Sequence, residues 1–191
     1  MFFYIWNMET ILKDKLYTEQ EYFILEESAE LRHEFINGQL FEMSGASTEH
    51  YLMVKRIERL LESLFEIKGF FVYRENMKIK ITGEDKYYYP DVFITREINN
   101  QNNRYSKNEP ELIVEVSSDS TFRTDAVDKL IAYQKFTGLK YYLIVDPEKV
   151  EVLVYTKDNE GGWLSQAFTN KTDTVLLKKW EAALPLEAIY P

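Results

Sequence analysis

The chain has 191 residues, no cysteine, 45% apolar and 15% aromatic side chains, and a formal net charge of −9. That length suits one domain with a substantial core, and the composition argues against extended disorder. Without cysteine there are no disulfide frameworks, thiolate zinc sites or cysteine nucleophiles, so any metal must take oxygen or histidine ligands. The negative charge speaks against a nonspecific nucleic-acid binder with a basic face. More than half of the excess lies in residues 9–34, however, where eight acids face Lys13, Lys15 and Arg32, which leaves room for a small cationic cleft elsewhere.

In chain order, Met1-Phe2-Phe3-Tyr4-Ile5-Trp6-Asn7 is apolar but too short and too poor in basic residues to be a signal peptide or a membrane span. A cytoplasmic protein is expected, with residues 1–17 a loosely ordered tail, residues 1–7 of it an upstream-start extension, and residues 18–191 a single domain. Thr18-Glu19-Gln20-Glu21 has the capping-box pattern that starts a short helix through Tyr22, Phe23 and Leu25. Residues from His33 to Met43 alternate about Asn37-Gly38, a strong hairpin signal. Ser47 or Thr48 then caps a long amphipathic helix carrying Val54, Ile57, Leu60, Leu61 and Leu64 as far as Gly69.

From Phe70 to Thr95 the period falls to two, as expected for a meander with a turn at Gly83-Glu84-Asp85 and a last strand carrying Asp91. Residues 96–109 read as a loop, and Glu111 to Ser117 as a strand carrying Glu115. A second helix is expected over about 124–137, stopping at Gly138, with Val127, Leu130 and Ile131 on its buried face. Leu139 to Val145 forms another strand, and Val150–Tyr155 and Trp163–Phe168 form a hairpin around Asn159-Glu160-Gly161-Gly162. The tryptophans at 6, 163 and 180 read as packing residues. The class is α+β or α/β around one mostly mixed sheet.

Asp91 and Glu115 each stand at the edge of a short apolar run of strand-forming residues, bounded by Pro90 and Pro110. Pairing of those strands would bring the carboxylates together, an arrangement suited to a hard divalent cation. The plain alternative is that each acid marks a strand end facing water. Glycine-rich phosphate loops, a GxSxG elbow and an HExxH helix are all absent, so P-loop, α/β-hydrolase and zincin chemistries have no support.

Further segments combine in order: Arg32-His33-Glu34-Phe35-Ile36-Asn37-Gly38, His50 at a helix start, Tyr89-Pro90-Asp91-Val92, Glu111 through Thr121, then Asp125, Lys129 and Tyr133, and Tyr142-Leu143-Ile144-Val145-Asp146-Pro147. Together, over residues 18–156, they resemble the Uma2 family, which is placed in the restriction-endonuclease-like, PD-(D/E)XK superfamily. The resemblance implies a mixed central sheet flanked by helices and a metal-dependent endonuclease acting on DNA, with Asp91 and Glu115 binding Mg2+ or Mn2+. The chain departs from the superfamily pattern at Ser117, where a lysine two residues after the acid is expected. Lys129, four residues after Asp125 in the following helix, is the candidate replacement; the alternative for that pair is an exposed salt bridge. Lys78 and Lys80 are next in line.

Glu34 and His50 are supporting candidates. The resemblance implies that Glu34 reaches the metal or the groups around it, while a surface position is the alternative; for His50 the alternative is helix capping near Ser47. Tyr87, Tyr88 and Tyr89 could stack on bases or pack across strands. The missing motif lysine and the acidic charge keep a second function open, a catalytically inactive nuclease-fold module for protein interaction or nucleic-acid binding. No membrane association is expected, and a homodimer is left open.

Overall fold

A computed structural model of the protein describes residues 15–43, 45–98, 104–117 and 129–191. The capping box forms as expected: the Thr18 backbone N–H donates to Glu21 Oε2 at 2.9 Å, the Glu21 N–H donates back to Thr18 Oγ1 at 3.2 Å, and α1 follows over Glu19–Ser28. The next two strands, β1 (His33–Ile36) and β2 (Gln39–Glu42), pair with Ile36 opposite Gln39. Asn37 and Gly38 close that hairpin with positive φ of 52° and 87°, the left-handed pair that matches strand twist. Helix α2 (Thr48–Phe65) continues into a 3-10 turn over Glu66–Lys68 and ends at Gly69 with φ 78°.

The expected meander is divided between two sheets. β3 (Phe71–Arg74) and β6 (Val92–Thr95) pair with each other in a six-stranded sheet, whereas β4 (Lys78–Lys80) and β5 (Lys86–Tyr88) belong to a five-stranded one. The division falls at Pro90, which has no N–H to continue a ladder, so Asp91 stands just before β6 rather than inside a strand. Residues 96–109 are not wholly loop, since β7 (Ser106–Lys107) pairs in parallel with β4.

The six-stranded sheet is completed by β8 (Leu112–Val116), β9 (Tyr141–Val145), β10 (Val152–Lys157) and β11 (Trp163–Phe168), in the order β11-β10-β9-β8-β6-β3. It is mixed, because β8 and β9 run parallel while the other pairs are antiparallel. Between β8 and β9 the described helix covers 129–133, and the chain turns at Gly138. Here Leu130 is buried but Ile131 is 63% exposed, so the helix turns Lys129, Leu130 and Tyr133 inward instead of the face expected from Ile131.

A C-terminal hairpin, β12 (Thr174–Leu177) and β13 (Ala182–Pro185), leads into the short helix α3 (Leu186–Ile189). With α2 these cover one face of the six-stranded sheet, where Met53, Ile57, Leu61, Val114, Leu143, Leu177 and Leu184 form one core. Trp180 plugs that core, with ring centroids 5.3 Å from Phe65, 5.5 Å from Phe70 and 5.1 Å from Tyr141. The opposite face packs Ile113, Tyr142 and Ile144 against Ile79, Ile81 and Tyr88 of the five-stranded sheet and against Leu130, Tyr133 and Phe136. Helix α1 closes the outer face of the five-stranded sheet over Phe35, Leu40 and Tyr87. No helix among the described residues is long and apolar enough to cross a membrane. The expectations for residues 1–7, Trp6, Asp125 and Val127 lie outside the described residues.

Gly38 combines a φ of +87° with crowding, since an added Cβ would meet Leu16 and the Tyr17 carbonyl oxygen at 3.3 Å. Gly38→Ala is expected to destabilise the protein by about 1–2 kcal/mol, read as a lower urea midpoint with unchanged slope. An unchanged midpoint would contradict the strained turn.

Candidate functional site

The site begins with a strand register. β6 and β8 pair antiparallel with Val92 opposite Val114, so the next step of the ladder sets Asp91 across from Glu115. The Val116 backbone N–H donates to Asp91 Oδ2 at 2.6 Å and ties the two strand ends together. Along β8, Leu112, Val114 and Val116 enter the α2 core, which turns Ile113 and Glu115 to the other face. Both acids are buried, Asp91 8% and Glu115 2% exposed.

Glu115 is held by the helix that follows its strand. The Tyr133 hydroxyl donates to Glu115 Oε1 at 2.8 Å, and Lys129 Nζ lies 3.8 Å from the same oxygen. Lys129 is buried, pairs more closely with Glu34 Oε1 at 2.8 Å, and has its Nζ 5.7 Å from the centroid of the Tyr88 ring. It is therefore not the exposed lysine of a surface salt bridge. Glu34 arrives from β1 on the inward face of the five-stranded sheet. Burial pushes the Glu115 carboxyl up to about 8; Lys129 opposes the shift, Asp91 adds to it, Tyr133 opposes it and Glu34 adds to it. An unscreened negative charge is costly at this position, and a cation would relieve it.

His50 does two things. Its backbone N–H caps α2 by donating to Ser47 Oγ at 3.2 Å, while its ring Nε2 lies 3.0 Å from Asp91 Oδ1. Burial alone would lower its pKa, but the hydrogen bond to Asp91 and the charges of Asp91 and Glu75 outweigh burial, so the net shift is upward. Glu75 is a member of this group that the sequence pattern did not single out. It sits in the turn after β3 with φ +27°, and because Arg74 pairs with Val92, the next step brings it beside Asp91. Its N–H donates to the Asp91 carbonyl oxygen at 3.3 Å. One ligand atom from each of His50, Glu75 and Asp91 lies within 4.8 Å of the others. An acid in a turn is commonplace, and only the β3–β6 register reveals this one.

Other candidates go elsewhere. Tyr87, Tyr88 and Tyr89 are buried, and the hydroxyls of Tyr87 and Tyr89 donate to Glu19 and Glu26, so of the two readings the rings follow packing within the fold and not stacking on bases. Lys78 lies on the α1 side of its sheet, with Nζ 4.8 Å from the ring centroids of both Tyr22 and Phe23, and burial lowers its pKa to about 8. Lys80 donates to Glu19 Oε1 at 2.6 Å. Ser117 is buried, and its hydroxyl has no hydrogen-bond partner among the described residues.

Chemically, the donor set fits a divalent cation. Among the described residues, Glu34, Glu75, Asp91 and Glu115 oppose one ammonium, Lys129, and one imidazole, His50. Summed over these described residues, full ionisation of the four acids would leave two negative charges even with the imidazole protonated. Carboxylate oxygens suit Mg2+ and Mn2+, and an imidazole extends the range toward Mn2+.

Comparison with known proteins places the geometry in a family. Residues 19–186 match the sequence model of the Uma2 family, described as "Putative restriction endonuclease". The uncharacterized protein slr1290 of Synechocystis sp. is 29% identical over 171 residues, covering 90% of each chain. A second Synechocystis protein, sll1609, also uncharacterized, is 30% identical over 159 residues, which is 82% of this chain and 90% of the relative. The fold is similar to a crystal structure titled as a putative nuclease belonging to DUF820 from Anabaena variabilis, with a TM-score of 0.72 and 16% identity over 90% of this chain and 96% of that one.

The raised Glu115 pKa sets a stability dependence with a definite sign. The ion-free folded protein keeps a proton that the unfolded chain releases at its ordinary carboxylate pKa, so this contribution is full at low pH and lost as pH rises to about 8. Ion-free wild type should therefore lose stability relative to Glu115→Gln between about pH 5 and pH 8.5, read from urea midpoints of both proteins. Parallel pH curves would show that Glu115 is ionised throughout.

Proposed function

The chain belongs to the Uma2 family, and from that membership we propose that it is a metal-dependent endonuclease hydrolysing phosphodiester bonds in DNA. The observation that carries this reading is the meeting of Asp91, Glu115 and Lys129 at one buried place, with Lys129 Nζ 3.8 Å from Glu115 although position 117 holds a serine. The family and the nuclease-like fold support a nuclease-type hydrolase; the substrate, the ion and the roles of the residues are our inference.

In this reading Asp91 and Glu115, at the paired ends of β6 and β8, are the residues that would hold Mg2+ or Mn2+. When bound, the cation supplies Lewis acidity, lowering the pKa of a water and screening phosphate charge. Lys129, beside Glu34 and Glu115, orients the attacking water by donating to its oxygen, which leaves a lone pair directed at phosphorus. Glu34 fixes Lys129 in that place. Val116 holds Asp91 Oδ2 through its backbone N–H and His50 lies against Oδ1, so the two residues fix the orientation of the carboxylate that would hold the ion. His50 and Glu75 extend the donor set on the α2 side.

A second reading, a nuclease-fold module that binds without cutting, is favoured by Ser117 in place of the motif lysine and by the net charge of −9. Calorimetric titration and cleavage assays separate the two. Asp91→Asn and Glu115→Gln should each abolish measurable Mg2+ binding while leaving the circular dichroism spectrum intact. Lys129→Met should cut cleavage about 10²–10⁴-fold with ion affinity close to wild type, and His50→Ala should weaken Mn2+ more than Mg2+. Unchanged affinity in either carboxylate variant would sink the site, whereas normal ion binding without cleavage of any DNA substrate would establish the binding module.

A further inference from the structure

The two side chains that grip Glu115 come from one helical turn. Lys129 and Tyr133 are four residues apart and leave the same face of the helix. Both reach the same atom: the Tyr133 hydroxyl donates to Glu115 Oε1 at 2.8 Å, and Lys129 Nζ lies 3.8 Å from Oε1. The hydroxyl cannot swing away easily, because the Tyr133 ring is fully buried and packs edge-on against Tyr88 at 5.6 Å and Tyr142 at 5.5 Å between centroids. Of the two, Tyr133 is the tighter hold on that oxygen, since Lys129 is closer to Glu34, at 2.8 Å.

We propose that Tyr133 sets the ion selectivity of the site: by donating to Oε1 beside Lys129 it disfavours that oxygen as a second contact and leaves Oε2 as the one Glu115 offers, which favours a small octahedral cation over a large one. Mg2+ is bound through single oxygens in near-ideal octahedral geometry, while Ca2+ takes six to eight oxygens and readily uses both oxygens of one carboxylate. Oε1 keeps a second lone pair, but an ion seated on it would also lie near the Lys129 ammonium, 3.8 Å from that oxygen, and would bend the buried Tyr133 hydrogen bond. The cost of weakening that hydrogen bond in the core then falls on Ca2+ and not on Mg2+. Outer groups that hold a ligand in one orientation commonly change metal affinity 10–100-fold when removed. This inference rests on the reading of Glu115 as a cation ligand.

Tyr133→Phe keeps the ring and its packing and removes only the grip on Oε1. Mg2+ and Ca2+ are titrated by calorimetry into wild type, Tyr133→Phe and Glu115→Gln. The Mg2+ to Ca2+ affinity ratio should fall about tenfold in Tyr133→Phe, mainly through tighter Ca2+ binding, while Glu115→Gln weakens both ions. Equal ratios in wild type and Tyr133→Phe would overturn the selectivity role and leave the site reading intact. Wild-type affinities in Glu115→Gln would overturn the site reading and this inference with it. A crystal structure of wild type soaked in Ca2+ gives a test that needs no variant: Glu115 should touch the ion through Oε2 alone, and a bidentate Glu115 would refute the proposal.

Discussion

Everything in the candidate site follows from the register in which β6 meets β8. With Val92 set against Val114, the two acids fall at the same level of the sheet, and the Val116 N–H closes the gap by donating to Asp91 at 2.6 Å. A slip of one residue would turn Glu115 into the apolar core beneath α2 and leave Asp91 without its backbone donor. That register is guarded by the apolar residues around it. Val114 and Val116 bury under α2, and Ile113 and Phe93 bury against the five-stranded sheet, so the core specifies where the carboxylates stand.

The same burial that fixes the register makes the site electrostatically incomplete. Among the described residues, Glu34, Asp91 and Glu115 are buried here with Lys129, while Glu75 and His50 stand half-buried beside Asp91, and Glu115 responds by holding its proton well above the ordinary carboxylate range. Pairing Lys129 with two glutamates reduces the cost of the charges without balancing them. A buried cluster of this kind is poorly explained as a stabilising ion-pair network, because apolar residues of the same volume would serve stability at least as well. It is well explained as a place prepared for positive charge.

Much of this was legible before any coordinates. The Asn37-Gly38 hairpin, the Thr18 capping box and the α2 periodicity rest on local chemistry, and local chemistry is what a sequence displays. Asp91 and Glu115 stood out because carboxylates beside apolar strand residues are uncommon without a reason. What stayed hidden depends on pairing between distant segments. Pro90 signalled a break, yet nothing local says that β5 and β6 on its two sides belong to different sheets. Glu75 became part of the site only through the pairing of β3 with β6, and the Tyr133 hydroxyl through the depth at which its helix is buried. The C-terminal hairpin, whose Val175, Leu177 and Leu184 complete the α2 core, offers short and weakly patterned strands that carry little signal on their own.

The division of the chain at Pro90 has a mechanical side. Glu34 belongs to the five-stranded sheet and Glu115 to the six-stranded one, and Lys129 spans the seam between them, 2.8 Å from the first and 3.8 Å from the second. Its single positive charge is thus shared across two bodies that are separately hydrogen-bonded and joined covalently beside the site through Pro90. Sliding one sheet against the other by about an ångström would be comparable with the difference between those two distances and would tilt the charge from one glutamate toward the other. A shear of the fold on that scale would therefore change the field at Glu115.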